Sequence, residues 1–311
     1  MAQRNEQKNT GFSNQVNKGA GRLVRANGNF AVERAGVSWR YFSTYHTLVS
    51  QSWLSFFVVI FLFYTVINLF FTFIYLACGV EHLSSNGETF PFWQDFWHAF
   101  FFSIQTFTTI GYGSMAPLTL PTSIVSSIEA LAGIMSAALM SGLFFARFSR
   151  PTSSIAFSAW AIIAPYEGGK ALMFRTANRR DNNMSKLNVK MTLAYIETLL
   201  DGTKRRDYDT MKLETDRVEM FPLNWTIVHP LTEDSPLYQK TLADYAAMDV
   251  EILVTMSGHD DTFGQVTYTR HSYRWEEIKE GYQFLPMYET RNDGITVLDL
   301  QRIDAMKKVE D

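Results

Sequence analysis

Two stretches of this chain are apolar on every face. Trp53 to Val80 runs 28 residues without a charge, and Leu118 to Ala146 runs 29 with Glu129 as its one interruption. At about 1.5 Å rise per residue, either is long enough to cross a hydrocarbon core of roughly 30 Å with some tilt. Trp53 and Tyr75 stand near the ends of the first run, where interfacial aromatics belong. Pro121 falls close to the start of the second, where its missing N–H costs little. The spacing therefore predicts two membrane spans, over about 53–80 and 118–146.

Shorter patterns surround them. Tyr41, Phe42, Tyr45, Leu48 and Val49 share one helical face, and Arg40, Ser43, Thr44 and His46 the other. Such a helix, over 35–50, lies along the membrane interface; the first turns of the span itself are the other reading. Between the spans, Phe92 to Thr106 is a further apolar helical run behind Pro91, with Asp95 in its first turn, where the dipole favours an acid. It is too short to span a bilayer and reads as a re-entrant helix over 92–106. Beyond Pro151 the period changes to two. Leu187, Val189, Met191, Leu193 and Tyr195 alternate with Asn188, Lys190, Thr192 and Ala194, a half-buried strand. Ile155–Ile163, Leu172–Arg175, Val250–Met256, Thr262–Tyr268 and Ile295–Leu298 are further candidates, and Leu242–Met248 and Tyr273–Ile278 read as short helices. Gly168-Gly169, Asp201-Gly202, Asn224 and Asp293-Gly294 punctuate them as turns. The expected layout is a disordered tail (1–34), the interfacial helix (35–50), a transmembrane pore domain (51–150), a β-sandwich (151–300) and a C-terminal tail (301–311).

Charge sharpens this. Between Arg40 and Arg147 there is no Lys or Arg, and only Glu81, Glu88, Asp95 and Glu129 are acidic. A fully soluble protein is excluded, because about a hundred residues this uncharged would leave a large exposed apolar patch. Arg34 and Arg40 precede the first span, and Arg147 and Arg150 follow the second. The positive-inside rule puts both termini in the cytoplasm, in a multi-pass protein of the plasma (inner) membrane. No apolar h-region follows the first basic residues, so the N-terminus is not a signal peptide. The lone cysteine, Cys78, excludes a disulfide scaffold within the chain. The net charge of −3 gives no argument for nucleic acid.

The chemistry lies just after the re-entrant run, at Thr109-Ile110-Gly111-Tyr112-Gly113. Irregular backbone is tolerated at membrane depth only where it is buried in protein or lines a watery path. Gly111 and Gly113 can take left-handed dihedrals that aim successive carbonyls the same way. Those carbonyls, with the Thr109 hydroxyl, can replace the hydration shell of a cation. The potassium-channel strip differs only by Val in place of Ile110. Potassium ions at Thr109, Ile110, Gly111 and Tyr112 are thus the expected ligand, with no organic cofactor. One chain supplies one strip, so a fourfold ring needs three further identical subunits.

With Ser103 to Gly113, Ala146-Arg147-Phe148-Ser149-Arg150-Pro151, Trp225 to Pro230, Asp234 to Tyr238 and Arg270 to Tyr273 on the page, the chain resembles the inward-rectifier potassium channels, prokaryotic branch, over roughly 35–300. The resemblance implies a two-span α-helical pore with a re-entrant helix on a cytoplasmic, immunoglobulin-like all-β domain. Many eukaryotic members have Glu where this chain has Gln105, paired with Arg where it has Met115. That ion pair is absent, and its support of the filter passes to other contacts, among which Glu129 is the candidate.

Helical spacing back from Phe145 gives Ser141, Ala137, Ile134 and Ala130, which are also the family's cavity positions. Phe145 is the candidate gate, a ring of four able to shut by dewetting; lipid-facing packing is its plain alternative. Gly133 and Gly142 permit bending or close helix packing. Glu129, the one charge inside either span, reads as filter support rather than as an ion contact. The resemblance puts Arg180 at a basic lipid position, beside Arg40, Arg147 and Arg150, so anionic lipids, phosphoinositides included, are expected partners. It also implies weak rectification. Ala137, Lys186 and Ser257 stand where the family's strong rectifiers carry the acids that draw in polyamines.

Other tempting residues read plainly. His259-Asp260-Asp261 is a solvated turn, since adjacent strand residues cannot all face one metal. His229 and His271 are structural, and Lys204-Arg205-Arg206 is an exposed hairpin run. No set of nucleophile, base and orienter stands out, so the chain reads as a non-enzyme. The competing class is a membrane-anchored sensor whose β domain binds a ligand; such an anchor has no use for the strip.

Overall fold

The computed structural model describes residues 21–25, 28–33, 35, 43–83, 91–151 and 153–309. The chain forms two units, one of residues 36–150 and one that joins residues 1–35 to 151–311.

The first unit is helical: α1 (Thr44–Ser50), α2 (Trp53–Cys78), α3 (Phe92–Phe107) and α4 (Leu120–Phe148). Ser43 and Ser52 cap α1 and α2 by accepting from the amides of His46 and Ser55. α4 starts where the Thr122 hydroxyl accepts from the Thr119 amide, and Pro121 occupies its first turn. α2 buries only Phe56, Asn68, Phe71, Thr72 and Tyr75 against its own chain. Its remaining surface, with Leu54, Phe61, Val66 and Phe70, is apolar and uncovered, the state expected of a helix solvated by lipid or by other subunits. Phe71, Tyr75, Val80, Leu83, Ala99 and Phe102 form the core of this unit, and Met115 packs against it.

The second unit is a sandwich of two five-stranded sheets. One contains β1 (Ile155–Phe157), β2 (Ala161–Tyr166), β3 (Gly169–Asn178), β7 (Asn224–Pro230) and β10 (Ile278–Glu280). The other contains β4 (Met184–Thr198), β5 (Lys204–Met211), β6 (Arg217–Met220), β8 (Glu251–Asp260) and β9 (Gln265–Arg274). Leu172, Phe174, Leu187, Met191, Leu193, Ile227, Ile252, Val254 and Tyr273 fill the space between. The short helix α5 (Leu242–Ala247) starts at a Thr241–Asp244 capping box.

Several expectations are corrected. Ile155–Ile163 is two strands, because Ser158 turns the chain by donating to the Trp160 carbonyl and accepting from the Arg175 amide. Tyr273 continues β9, and only Trp275–Glu277 is helical, as one 3-10 turn. The supposed C-terminal tail includes β14 (Met306–Lys308), which pairs with β11 (Tyr282–Phe284). Most of the expected N-terminal tail, residues 1–20, 26, 27 and 34, lies outside the described residues, but the described segment 21–25 is not a free tail. Leu23 and Val24 donate their amides to the buried Glu251 carboxylate, Arg22 pairs with Glu277 at 2.8 Å, and Val24 packs on Ala194 and Leu253. A buried carboxylate needs donors, and this segment supplies them.

The basic run at 204–206 is not wholly exposed: Arg206 is buried and pairs with Asp249 at 2.7 Å. Asp260 is likewise buried rather than solvated, accepting from the Asn182 amide and the Thr262 backbone N–H. His229 is buried between the Lys212 carbonyl and the Ser235 hydroxyl, and burial pushes it below the usual imidazole range. His271 stacks on Phe157 at 4.8 Å, and burial, helped by Arg22, pushes it down to about 4.

Candidate ion pathway

α3 ends at Phe107, and the chain at once becomes irregular. The amides of Ile110 and Gly111 both donate to the Gln105 carbonyl, at 2.9 and 3.4 Å, so the strip hangs from the last turn of the helix. Left-handed backbone recurs at Thr109 (φ 60°), Gly111 (φ 56°) and Gly113 (φ 80°). Alternation of hand is what turns successive carbonyls to one side of an extended strand. The two glycines were legible in the sequence; the Thr109 conformation was not, because a threonine carries no signal for positive φ. Ile110 and Tyr112 are 51% and 76% exposed, so the chain's own residues leave the strip largely uncovered.

α2, α3 and α4 meet at a buried polar network. Ser103 on α3 donates to the Glu129 carboxylate at 2.5 Å and lies 3.1 Å from Oδ1 of Asn68 on α2. The Tyr75 hydroxyl donates to the other Glu129 oxygen at 2.6 Å, and the Asn68 amide donates to the Tyr64 carbonyl. Asn68, Tyr75, Ser103 and Glu129 are all fully buried. One carboxylate on α4 thus ties the pore helix to both spans. Asn68, Tyr75 and Ser103 were missed in the sequence, although polar side chains in apolar runs were the available signal. Gln105 contributes through its backbone carbonyl.

Along α4, Ile134, Ala137, Ser141 and Phe145 form one exposed stripe. The neighbouring Phe144 points the other way and meets Phe56 of α2 edge-on at 5.1 Å. Gly133 sits at a helix–helix contact. It is buried against α3, where a Cβ would lie 2.0 Å from the Phe107 carbonyl oxygen, and α4 continues through it as regular helix. Gly142 has nothing within 4 Å of its Cβ position.

The basic residues are less free than a headgroup site would need. Arg147 donates to the carbonyls of Leu48, Val49 and Gln51, at the C-terminal end of α1 where helical carbonyls lack partners within the helix. Its guanidinium also lies 4.3 Å above the Trp53 ring. It clasps α1 to the end of α4. Arg180 pairs with Asp260 at 3.9 Å and sits over Phe263. Arg150 follows α4 directly, and Arg40 lies outside the described residues.

Comparison with known proteins agrees with this arrangement. Residues 155–311 match the family model described as "inward rectifier potassium channel C-terminal domain", and residues 58–150 match the ion-channel model. The chain is 34% identical over 281 residues to the inward rectifier potassium channel Kirbac3.1 of Paramagnetospirillum magnetotacticum, covering 90% of this chain and 93% of that one. It is 28% identical over 302 residues to the human G protein-activated inward rectifier potassium channel 2, covering 89% and 70%. It is 31% identical over 210 residues to the chicken ATP-sensitive inward rectifier potassium channel 12, covering 62% and 48%. With an apolar two-span unit, an irregular Thr-Ile-Gly-Tyr-Gly strip hung from the helix between the spans, and a β-sandwich that matches the family's own domain, the chain belongs to the inward rectifier potassium channel family.

Proposed function

We propose that four copies of this chain form a potassium-selective pore in the plasma membrane, with both termini cytoplasmic. The observation that carries the reading is the strip at 109–113. It alternates in hand, hangs from the Gln105 carbonyl and is uncovered by its own chain. Four such strips around an axis would cover one another and stack oxygen rings from Thr109, Ile110, Gly111 and Tyr112. Glu129 supports the ring from behind, and Phe145 narrows the cytoplasmic end. In liposomes holding the purified protein, rubidium uptake is expected to exceed sodium uptake by at least tenfold and to be blocked by barium. A folded protein without uptake would favour the membrane-anchored sensor.

Rectification follows from the same pathway. Strong block by polyamines needs acids along the path, and Ala137, Lys186 and Ser257 offer none. The −6 charge of residues 151–311 lies mostly on exposed groups, which are screened over about 8 Å at physiological salt. Internal spermine is expected to block weakly and with shallow voltage dependence, and Ala137→Asp to strengthen the block at least tenfold. Steep micromolar block of the unaltered channel would refute this.

Anionic lipid is the proposed regulator. With Arg147 engaged by backbone carbonyls, Arg150 and Arg180 are the residues to test. Each guanidinium near an anionic surface contributes about 1 kcal/mol. Phosphoinositide in the liposomes is expected to change flux, and Arg150→Gln with Arg180→Gln to shift the dose response about tenfold or more. An unshifted response would remove the site.

A further inference from the structure

Strand β4 breaks its alternation at one point. Ser185 faces His259 on β8, and Asn188 faces Ser257, so Lys186 and Leu187 together oppose Gly258 alone. The extra residue is accommodated by a left-handed backbone at Lys186, with φ 51°. Leu187 turns inward and is fully buried, its Cγ only 2.9 Å from where a Cβ on Gly258 would lie. Ser185 and Lys186 consequently both lie off the core face, where a regular pleat would give one. Bulges of this kind re-aim side chains beside functional sites.

The outward side chains gather over one face of the sheet. Arg217 of β6, Asn188 and Ser257 stand in one cross-strand row, and Ser185, His259 and Val266 in the next. They line a pocket of about 410 Å³ together with Lys186. No carboxylate lines it. Glu219 pairs with Arg217 at 2.8 Å, and Asp261 lies 3.9 Å from His259, both outside the lining. The Lys186 ammonium has no acid partner among the described residues. The pocket therefore presents the Lys186 ammonium, the Arg217 guanidinium through the N–H groups that Glu219 leaves free, an imidazole, an amide and two hydroxyls, all able to donate to an oxyanion. Two separated cations suit an anion whose charge is spread over two centres, and charge-assisted bonds to phosphate oxygens are the strong ones.

We propose that this pocket binds a soluble phosphate-bearing anion of the diphosphate type. Lys186 and Arg217 take the two phosphoryl groups, and the Ser185 and Ser257 hydroxyls complete the donor set. The site rests on the proposed pore, because Lys186 and Ser257 stand at two of its pathway positions, but binding of the anion is read without flux, and flux serves only to separate it from a lipid headgroup.

Calorimetric titration of the full-length protein in neutral detergent with inorganic pyrophosphate, free of magnesium and at constant ionic strength, is expected to show saturable binding of one anion per chain. Lys186→Gln and Arg217→Gln are each expected to weaken it tenfold or more. Ser257→Asp, on a different strand, is expected to abolish it by placing a carboxylate in the pocket. Lys240→Gln, a charge change of equal size elsewhere, is expected to leave it unchanged. Absence of saturable binding, or equal weakening by Lys240→Gln, would overturn the proposal. To separate a soluble anion from a lipid headgroup, the phosphoinositide dose response of flux is measured in Lys186→Gln. It is expected to be unshifted; a shift as large as that from Arg150→Gln with Arg180→Gln would assign the pocket to lipid and overturn the soluble-anion proposal.

Discussion

Gly111→Ala is expected to abolish potassium selectivity, lowering the rubidium-to-sodium uptake ratio at least tenfold, or to end conduction altogether. The reason is conformational. Gly111 sits at φ 56°, and a Cβ there would meet nothing within 4 Å of its own chain. Within the protomer the substitution therefore adds no clash; it penalises the left-handed backbone by about 1–2 kcal/mol. Four equivalent strips would each carry that penalty, and the least costly relief is to turn the peptide so that a carbonyl leaves the row. One missing ring removes part of the oxygen cage that substitutes for water around a bare cation. Normal selectivity in the variant, with the protein still assembled, would show that the strip is not the filter.

Gly133→Ala is expected to disable the channel by a different route. Its Cβ would lie 2.0 Å from the Phe107 carbonyl oxygen and 2.8 Å from the carbonyl carbon, and backbone cannot rotate away as a side chain can. α4 and the end of α3 must separate, at a cost of about 1–3 kcal/mol by the usual penalty for overpacking. The strip hangs from Gln105, two residues before Phe107, so the same displacement reaches the filter. Both a lower unfolding temperature and a tenfold or greater loss of rubidium uptake are expected. Gly142→Ala, with open space at its Cβ position, is the matched comparison and is expected to leave the unfolding temperature unchanged. If Gly133→Ala kept stability while changing only the open fraction, bending rather than packing would be the role of Gly133.

The Glu129 network has the same architecture in a softer form. Asn68, Tyr75 and Ser103 reach it from two other helices and are satisfied there. Buried polar groups left without partners cost about 1–3 kcal/mol each. The network therefore fixes how α2, α3 and α4 meet, in a chain that lacks the family's Glu–Arg pair at Gln105 and Met115. Met115 instead packs against the apolar cluster around Phe71 and Tyr75, as a side chain without charge must.

What the sequence determined by itself is everything that local chemistry decides. Apolar runs of 28 and 29 residues, the second with Glu129 as its one charge, can only be solvated by lipid or protein, whatever the rest of the chain does. Glycines at 111 and 113 permit left-handed backbone without help from neighbours, so the strip was legible before any fold. Strand alternation from Leu187 to Tyr195 announced a half-buried sheet for the same reason. Only the tertiary structure decided what depends on residues far apart in the chain. It placed Ser103 and Tyr75 on Glu129, set Gly133 against a backbone carbonyl of another helix, and brought Arg147 onto the last carbonyls of α1. It also drew Leu23 and Val24, in a segment too polar to suggest order, onto Glu251, and used β14 to extend the β domain past its expected end. A buried polar or charged group is satisfied by whichever partner the fold delivers. The period of a sequence reports which face is buried, and not what waits there.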